Sequence, residues 1–325
     1  MPEKTPFIVT LDTEGDDLWS RPREITTRNA RHLPRFQALC ERFGFTPVYL
    51  VDYEMARCDL FVELARDVLA RDAGEVGMHL HAWNSPPLVP LTEDDFHHQP
   101  YLIEYPEPVM RQKVAFLTRL LEDRFERPIV SHRAGRVGFD GRYAAILVEQ
   151  GYRVDCSVTP GVDWSAHPGD PHGRGGTDFR GFPERPYFID PADISVPAAA
   201  GLLEVPVTIR SSPLQRRAPW VYRVPLLGRV ANRASPGLTW VNPSESRLAA
   251  MLRALRAARA EGVAHVEFML HSSELMPGGS PSYRDAAAIE RLYGELEILF
   301  GELAAWCRGA TLAEFHATFA RAAVQ

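Results

Sequence analysis

Short apolar runs alternate along the chain with longer amphipathic stretches. The runs have the length of strands, and the stretches carry apolar residues at three- and four-residue spacing, the period of a helix. The predicted strands are Pro6–Leu11, Thr46–Val51, Glu75–Leu80, Pro128–Arg133, Arg153–Val158, Leu202–Ile209 and His265–His271. The predicted helices are Arg28–Phe43, Asp59–Arg71, Glu107–Phe125, Arg142–Gln150, Ser244–Glu261, Tyr283–Cys307 and Thr311–Ala322. This alternation favours a parallel α/β barrel, because no glycine-rich phosphate loop follows the first strand.

Three long connections, 82–106, 159–201 and 211–241, interrupt the alternation. Long loops in compact domains are commonly functional, and the first two follow the ends of strands, where a barrel carries its active site. The third contains several arginines and tryptophans, which either grip sugars or pack over the barrel end. With no repeat and no convincing linker, we predict a single domain over residues 1–325.

Composition narrows the class of protein. A chain of 325 residues with 45% hydrophobic residues can bury one large core, and a net charge of −6 argues against non-specific binding to nucleic acid or anionic lipid. Four widely spaced cysteines indicate free thiols in a reducing compartment. The chain start has no signal-peptide pattern and no apolar run is long enough to span a membrane. We therefore expect a cytoplasmic protein.

Polar and titratable residues gather where the predicted strands end. The segments are Asp12–Asp17, His79–Trp83, His132–Arg136, Asp155–Ser157 and His271–Glu274. The C-terminal ends of parallel strands meet at one rim of a barrel, so we expect these side chains to lie together.

The spacing within two of these segments indicates a metal site. Residues two apart in an extended chain point the same way, so Asp12 lies beside Glu14, and His79 beside His81. Two imidazoles and a carboxylate with room for water are the ligand pattern of a catalytic zinc. A further carboxylate can take a proton from the water, and a histidine across the cleft can protonate a leaving amine. Together these residue types predict metal-assisted hydrolysis of an amide.

Each feature has a more ordinary interpretation when taken alone. A His-x-His pair is more often packing or surface, and an acidic run after a strand is more often a solvated turn or helix cap. Arg133 would then anchor a loop, and His271 would be a satisfied core histidine. The functional prediction therefore depends on the five segments together.

The ordered segments resemble the NodB-type polysaccharide deacetylases, carbohydrate esterase family 4. The likeness runs from Phe7 to about Pro281 and is strongest to the branch associated with lipopolysaccharide and capsule biosynthesis. It is carried by Asp-Thr-Glu-Gly-Asp, Gly-Met-His-Leu-His-Ala-Trp, His-Arg-Ala-Gly-Arg and Leu-His-Ser-Ser-Glu-Leu. The resemblance implies a deformed (β/α)7 barrel and hydrolytic removal of N-acetyl, occasionally O-acetyl, groups from an acetylated amino sugar.

The resemblance also implies roles for individual residues. It makes Asp12 the general base, Arg133 the arginine that orients it, and His271 the general acid. Asp155 resembles the acid that holds the catalytic histidine. The resemblance implies a divalent metal, with zinc as the expected ion, and its expected ligands are Glu14, His79 and His81. From the same segments, Trp83, Arg136 and Glu274 are predicted to bind the sugar.

The sequence departs from the common family pattern at the metal. The second histidine is usually four residues after the first, where this chain has Trp83, so His81 must take its place. Asp16 or Asp17 are alternatives to Glu14 as the carboxylate ligand. Two other functions stay open at this point: a metal-free hydrolase of small amides, and a non-catalytic carbohydrate-binding relative.

Overall fold

The structure is a computed structural model that describes residues 4–218, 220–224, 227, 229, 231–232 and 237–324. Its strands are β1 Thr5–Thr13, β2 Pro47–Val51, β3 Glu75–Leu80, β4 Ser131–Ala134, β5 Val154–Asp155, β6 Tyr187–Asp190, β7 Asp193–Ala198, β8 Leu203–Glu204, β9 Ile209–Ser211, β10 Leu238–Trp240, β11 Val266–His271 and β12 Cys307–Gly309. Its α-helices are α1 Leu33–Arg42, α2 Tyr53–Ala56, α3 Asp59–Ala70, α4 Asp95–His98, α5 Glu107–Phe125, α6 Gly141–Glu149, α7 Pro213–Arg217, α8 Trp220–Arg223, α9 Leu248–Glu261, α10 Ala286–Ala304 and α11 Leu312–Val324. Short 3-10 helices lie at Leu18–Ser20, Arg28–His32, Leu102–Glu104, Gly135–Val137 and Ser272–Leu275. No helix within these ranges is long and apolar enough to cross a bilayer.

The central sheet confirms the predicted α/β barrel in its deformed form. In the described chain, neighbouring strands pair in parallel in the order β11, β1, β2, β3, β4, β5, β8, and β6 then pairs antiparallel with β8. The described residues form no strand pairing between β8 and β11. Two hydrogen bonds cross this gap instead, from Glu267 N to Thr208 Oγ1 at 2.8 Å and between His265 Nε2 and the Pro206 carbonyl at 2.8 Å.

All seven predicted strands are present, although β5 and β8 are only two residues long. The predictions missed two antiparallel strand pairs: β6–β7 within 159–201, and β9–β10, in which β9 begins at Ile209, ahead of the third connection, and β10 lies within 211–241. Residues 219, 225–226, 228, 230 and 233–236 of the third connection lie outside the described part of the chain. The helix predicted to reach Cys307 ends at Ala304, because the chain there turns into β12 and pairs with β1.

Alternation along the strands divides the core in two. On β1, Val9 and Leu11 pack under the surrounding helices, whereas Ile8 belongs to a smaller cluster inside the barrel. Leu312 and Phe315 of α11 join that inner cluster, so the last helix closes the lower end of the barrel. The upper end, where the strands finish, is left for polar side chains.

Candidate active site

Strand register places the predicted residues at the upper end of the barrel. Asp12 on β1 is the register partner of His271 on β11, and His79 on β3 is the partner of Arg133 on β4. Register partners on parallel strands project to the same face of a sheet. Each pair therefore points into the barrel.

Glu14, His79 and His81 form one group of potential metal ligands. One ligand atom from each of the three lies within 4.8 Å of the other two. Glu14 Oε2 is 2.8 Å from His81 Nε2 and 3.6 Å from His79 Nε2. The two-apart histidine pair expected from the sequence therefore does converge on a carboxylate.

Neighbouring groups fix the two imidazoles. His79 Nδ1 donates to the Arg133 carbonyl at 3.0 Å, which leaves Nε2 facing Glu14. The ring of His81 packs against Trp83, with centroids 4.3 Å apart. A Cβ at Gly135 would lie 2.4 Å from the Leu80 carbonyl oxygen and 2.7 Å from His81 Nδ1, so this glycine lets the turn after β4 approach the ring.

The charges of this group favour cation binding. Burial alone would raise the pKa of Glu14, but His271, His79 and His81 together lower it well below its ordinary value. Burial lowers the pKa of His81 to about 4, so this ring is neutral at pH 7. Burial also acts to lower the pKa of His79, but Asp12 and Glu14 outweigh it and the pKa is raised.

Arg133 is fully buried between two carboxylates. Its Nη1 donates to Asp12 Oδ1 at 2.7 Å, and its Nη2 donates to Glu267 Oε1 and to the Thr10 hydroxyl. Burial would raise the pKa of Asp12, but Arg133, His79 and His271 lower it, so the Asp12 carboxylate is ionised. Glu267 was not predicted. It is a charged residue inside an apolar strand, two positions before Met269 and four before His271, and this pattern was the available signal.

Glu274 holds His271 and is not a sugar ligand. Its Oε2 accepts from the backbone N of His271 at 2.9 Å and from Nδ1 at 3.1 Å, and its Oε1 accepts from the Ser244 hydroxyl. The Glu274 side chain is buried behind the histidine, away from the cavity surface. The prediction that it binds substrate directly is therefore corrected. Burial would lower the pKa of His271, but Glu14, Glu274 and Asp12 raise it to about 10.

Asp155 does not reach His271. It is the register partner of His132, whose Nδ1 lies 2.5 Å from Asp155 Oδ1 and whose Nε2 lies 2.7 Å from the Tyr143 hydroxyl. Arg133 points into the barrel, so its neighbour His132 must point outward, and Asp155 points outward with it. The structure therefore replaces the predicted Asp155–His271 pair with Glu274–His271.

Two further acids shape the loop that carries Glu14. Asp16 accepts hydrogen bonds from Thr26, Asn29 and the backbone of Arg28, so it anchors the loop and is turned away from the histidines. Asp17 has a left-handed backbone and does not belong to the group of potential ligands. Glu14 is thus the carboxylate that meets the histidines.

Asp52, at the end of β2, was not predicted. Its Oδ2 accepts from Gly15 N at 3.0 Å, directly after Glu14, while its Oδ1 caps α2 by accepting from Met55 N at 2.8 Å. Burial, together with the charge of Glu14, raises the pKa of Asp52 to about 7. The rule that polar residues gather at strand ends applies equally to this position and would have found it.

A cavity of about 350 Å³ opens over these residues. Asp12, Glu14, His79, His81 and His271 form its polar floor. Its walls are rich in aromatic side chains, namely Trp19, Trp83, Tyr101, Trp164 and Trp240, and they also include Arg136. The predicted substrate residues Trp83 and Arg136 both lie on the wall, and the three long connections all contribute to it.

No protein-family profile matches this sequence, and no curated protein matches it. Solved structures nevertheless share its fold. A Parabacteroides distasonis protein described as a glycoside hydrolase/deacetylase aligns at a TM-score of 0.62 and 12% identity, over 98% of this chain and 72% of its own. A Mycobacterium smegmatis protein described as a polysaccharide deacetylase aligns at 0.52 and 14%, over 99% and 92%. The 4-alpha-glucanotransferase of Thermococcus litoralis aligns at 0.51 and 12%, over 98% of this chain and 41% of its own.

These comparisons confirm the resemblance at the level of the fold. The chain has a fold found in proteins described as polysaccharide deacetylases. The neighbours carry different named activities, and one fold hosts many functions. The activity of this chain is therefore argued from its own site.

Proposed function

We propose that this protein is a metal-dependent hydrolase that removes the N-acetyl group from an acetylated amino sugar. The observation that carries the proposal is the cavity floor, where Glu14, His79 and His81 meet beside Asp12 and His271. Nitrogen and carboxylate ligands, an ionised base and a protonated histidine are the groups that amide hydrolysis requires.

The donor set fits a divalent cation such as zinc. Two imidazole nitrogens and one carboxylate oxygen form the three-ligand set of a catalytic zinc site, and one imidazole is oriented by a backbone carbonyl. When bound, such an ion polarises the acetamide oxygen and acidifies water. Glu14, His79 and His81 would hold it.

Asp12 is placed to act as the general base. Its Oδ1 is bound to Arg133, which keeps Oδ2 directed at the cavity. Oδ2 lies 3.9 Å from both His79 Nε2 and His271 Nε2, between the proposed ligands and the proposed acid. There it accepts a proton from the attacking water, whose oxygen then bonds to the acetamide carbon.

His271 is placed to act as the general acid. Because Nδ1 donates to Glu274, the second N–H, on Nε2, faces the cavity. The raised pKa keeps the ring protonated at pH 7. Transfer of the Nε2 proton to the amide nitrogen accompanies breakage of the C–N bond, which releases acetate and a free amino sugar.

The aromatic walls support a sugar as the substrate. Flat faces of tryptophan and tyrosine supply apolar contact area beside polar tips. We propose an acetylated amino sugar of a surface glycan, such as lipopolysaccharide or exopolysaccharide, either in the polymer or in its nucleotide- or lipid-linked precursor.

Acetate release from a panel of N-acetylated amino sugars tests this function. We expect release by the zinc-loaded protein and a loss of roughly 100- to 10,000-fold in the Asp12→Asn variant, which keeps the shape of the side chain but not its basicity. Sugar binding without acetate release from any member of the panel would favour the non-catalytic carbohydrate-binding relative. Full activity in metal-free protein would favour the metal-free amide hydrolase.

A further inference from the structure

The turn after β4 has an unusual backbone. Arg136 and Val137 both have φ of +53°, in the left-handed region that a β-branched residue such as Val137 rarely adopts. The turn packs tightly on Tyr101, since a Cβ on Gly138 would lie 2.4 Å from Tyr101 Cδ1. Strained backbone of this kind concentrates at functional sites. Here it puts both Arg136 and Val137 on the cavity wall.

The guanidinium of Arg136 is held in place by neutral groups. Its Nη1 donates to the carbonyls of Gln99 and His98, and its Cζ lies 4.1 Å from the centroid of the Tyr101 ring. Among the described residues, no carboxylate makes a salt bridge with Arg136. The side chain is therefore partly buried and oriented, yet its charge is not neutralised.

Charges of both signs lie near Arg136. Glu104 is within electrostatic range of Arg136, but its carboxylate is engaged by the backbone N of Tyr101 at 2.7 Å and of Asp170 at 3.1 Å. Burial lowers the pKa of Arg136, Tyr101 and the charge of Glu104 act to raise it, and the charge of Arg21 acts to lower it. A second guanidinium thus adds to the positive potential.

Arg133, the other arginine of the segment His132–Arg136, differs from Arg136 in having carboxylate partners. Arg133 is fully buried and bound to two carboxylates, Asp12 and Glu267. Arg136 lies three residues later and lines the cavity, and no carboxylate of the described residues makes a salt bridge with it. A desolvated cation is favourable when an anion pairs with it, and a guanidinium forms paired hydrogen bonds with carboxylate or phosphate.

We propose that Arg136 binds an anionic group, a carboxylate or a phosphate, carried by the sugar substrate. The inference rests on the proposed function and names its substrate class: an acetylated amino sugar with a negative charge outside the acetamide. The acetamide lies at the Asp12 and His271 floor, and the anion lies at the Arg136 wall. Arg136 acts here in binding and selection, and it takes no part in proton transfer.

Calorimetric titration of the full chain tests this assignment. The probes are N-acetylglucosamine, N-acetylglucosamine 1-phosphate and N-acetylglucosaminuronic acid. The proteins are the wild type, Arg136→Gln, Arg136→Lys and Arg119→Gln. Arg119 is an exposed arginine of α5 outside the cavity, so its variant has the same change of net charge.

We expect at least one anionic probe to bind the wild type about tenfold or more tightly than the neutral sugar. That preference, the ratio of the affinity for the anionic probe to the affinity for the neutral sugar, should be lost in Arg136→Gln, partly kept in Arg136→Lys and unchanged in Arg119→Gln. The tighter anionic probe identifies phosphate or carboxylate as the source of the charge. Equal affinity for charged and neutral sugars, no detectable binding of either anionic probe, or a preference that survives in Arg136→Gln overturns the assignment.

Acetate release is measured on the same samples, so the two proposals can fail separately. An Arg136-dependent preference without acetate release keeps the anion site and rejects the hydrolase. Acetate release without a preference rejects the anion site and keeps the hydrolase.

Discussion

Glu274 holds the imidazole of His271 with a single carboxylate oxygen, which lies 2.9 Å from the histidine backbone N and 3.1 Å from Nδ1. The two residues are three apart at the start of a 3-10 helix, so the pairing is local and does not depend on the rest of the barrel. It fixes Nδ1 as a donor and turns Nε2 to the cavity. This relationship gives His271 the orientation that the proposed general acid needs, and Glu274 joins Glu14 and Asp12 in raising the pKa of the ring.

Replacing Glu274 with Gln should therefore lower kcat by roughly 10- to 1,000-fold, with little change in KM. The amide keeps the shape but removes the charge that stabilises the imidazolium. Steady-state acetate release is the measurement. Ser244→Ala serves as the control, because it removes a partner of Glu274 and leaves the carboxylate charged. Wild-type kcat in Glu274→Gln would show that His271 does not depend on this carboxylate.

In contrast to Glu274→Gln, Asp155→Asn should lower stability and leave kcat nearly unchanged. It removes the charge from a fully buried pair with His132, so we expect a loss of about 3 kcal/mol in the free energy of unfolding. The kcat of the folded variant should stay within about threefold of the wild type, because Asp155 faces away from the cavity. Urea unfolding and acetate release measure the two effects. A large fall in kcat with unchanged stability would restore the role expected from the resemblance.

The order of strands and the gathering of polar residues could be predicted, because both follow from patterns local to the chain. The seven parallel strands and the convergence of Glu14 with His79 and His81 needed only strand parity and the fact that strand ends meet at one rim. The partner of His271 could not be settled in the same way. It depends on whether Asp155 points into or out of the barrel, and β5 is too short for its own alternation to show this.

Residue pairs that form through long-range contacts could not be predicted from the sequence pattern either. Glu267 and Arg133 are far apart in the chain and meet only because β11 and β4 both face the barrel interior. The absence of a salt bridge between Arg136 and any described carboxylate is likewise a property of the assembled loops. Sequence spacing indicated which residues reach the site, and the structure showed which of them pair.

Protonation of His265 should make the free energy of unfolding depend on pH between 6.5 and about 4. Burial lowers its pKa to about 4, and its Nε2 is hydrogen-bonded to the Pro206 carbonyl at 2.8 Å. Between its unfolded value of 6.5 and about 4, the unfolded chain binds a proton that the folded chain does not. The stability that depends on this residue is therefore fully present above pH 6.5. It falls by up to about 3 kcal/mol as the pH drops from 6.5 to about 4, and it levels off at lower pH.

Urea unfolding between pH 7 and pH 4 checks this expectation. His265→Gln keeps an N–H donor for the carbonyl but cannot titrate, so its stability should fall less with acid than that of the wild type. His172→Gln changes an exposed histidine and should keep the wild-type dependence. Parallel curves for the wild type and His265→Gln would show that another group sets the acid sensitivity.

The metal content of the purified protein, measured by elemental analysis alongside acetate release, tests the central claim most directly. We predict about one zinc or similar divalent ion per chain in the wild type, loss of both metal and activity in His79→Ala/His81→Ala, and retention of both in His97→Ala/His98→Ala, whose histidines lie on α4 outside the cavity. Activity in the wild type should disappear on chelation and return with added zinc. No metal in the wild type even after zinc is added, or full activity without it, would contradict the account.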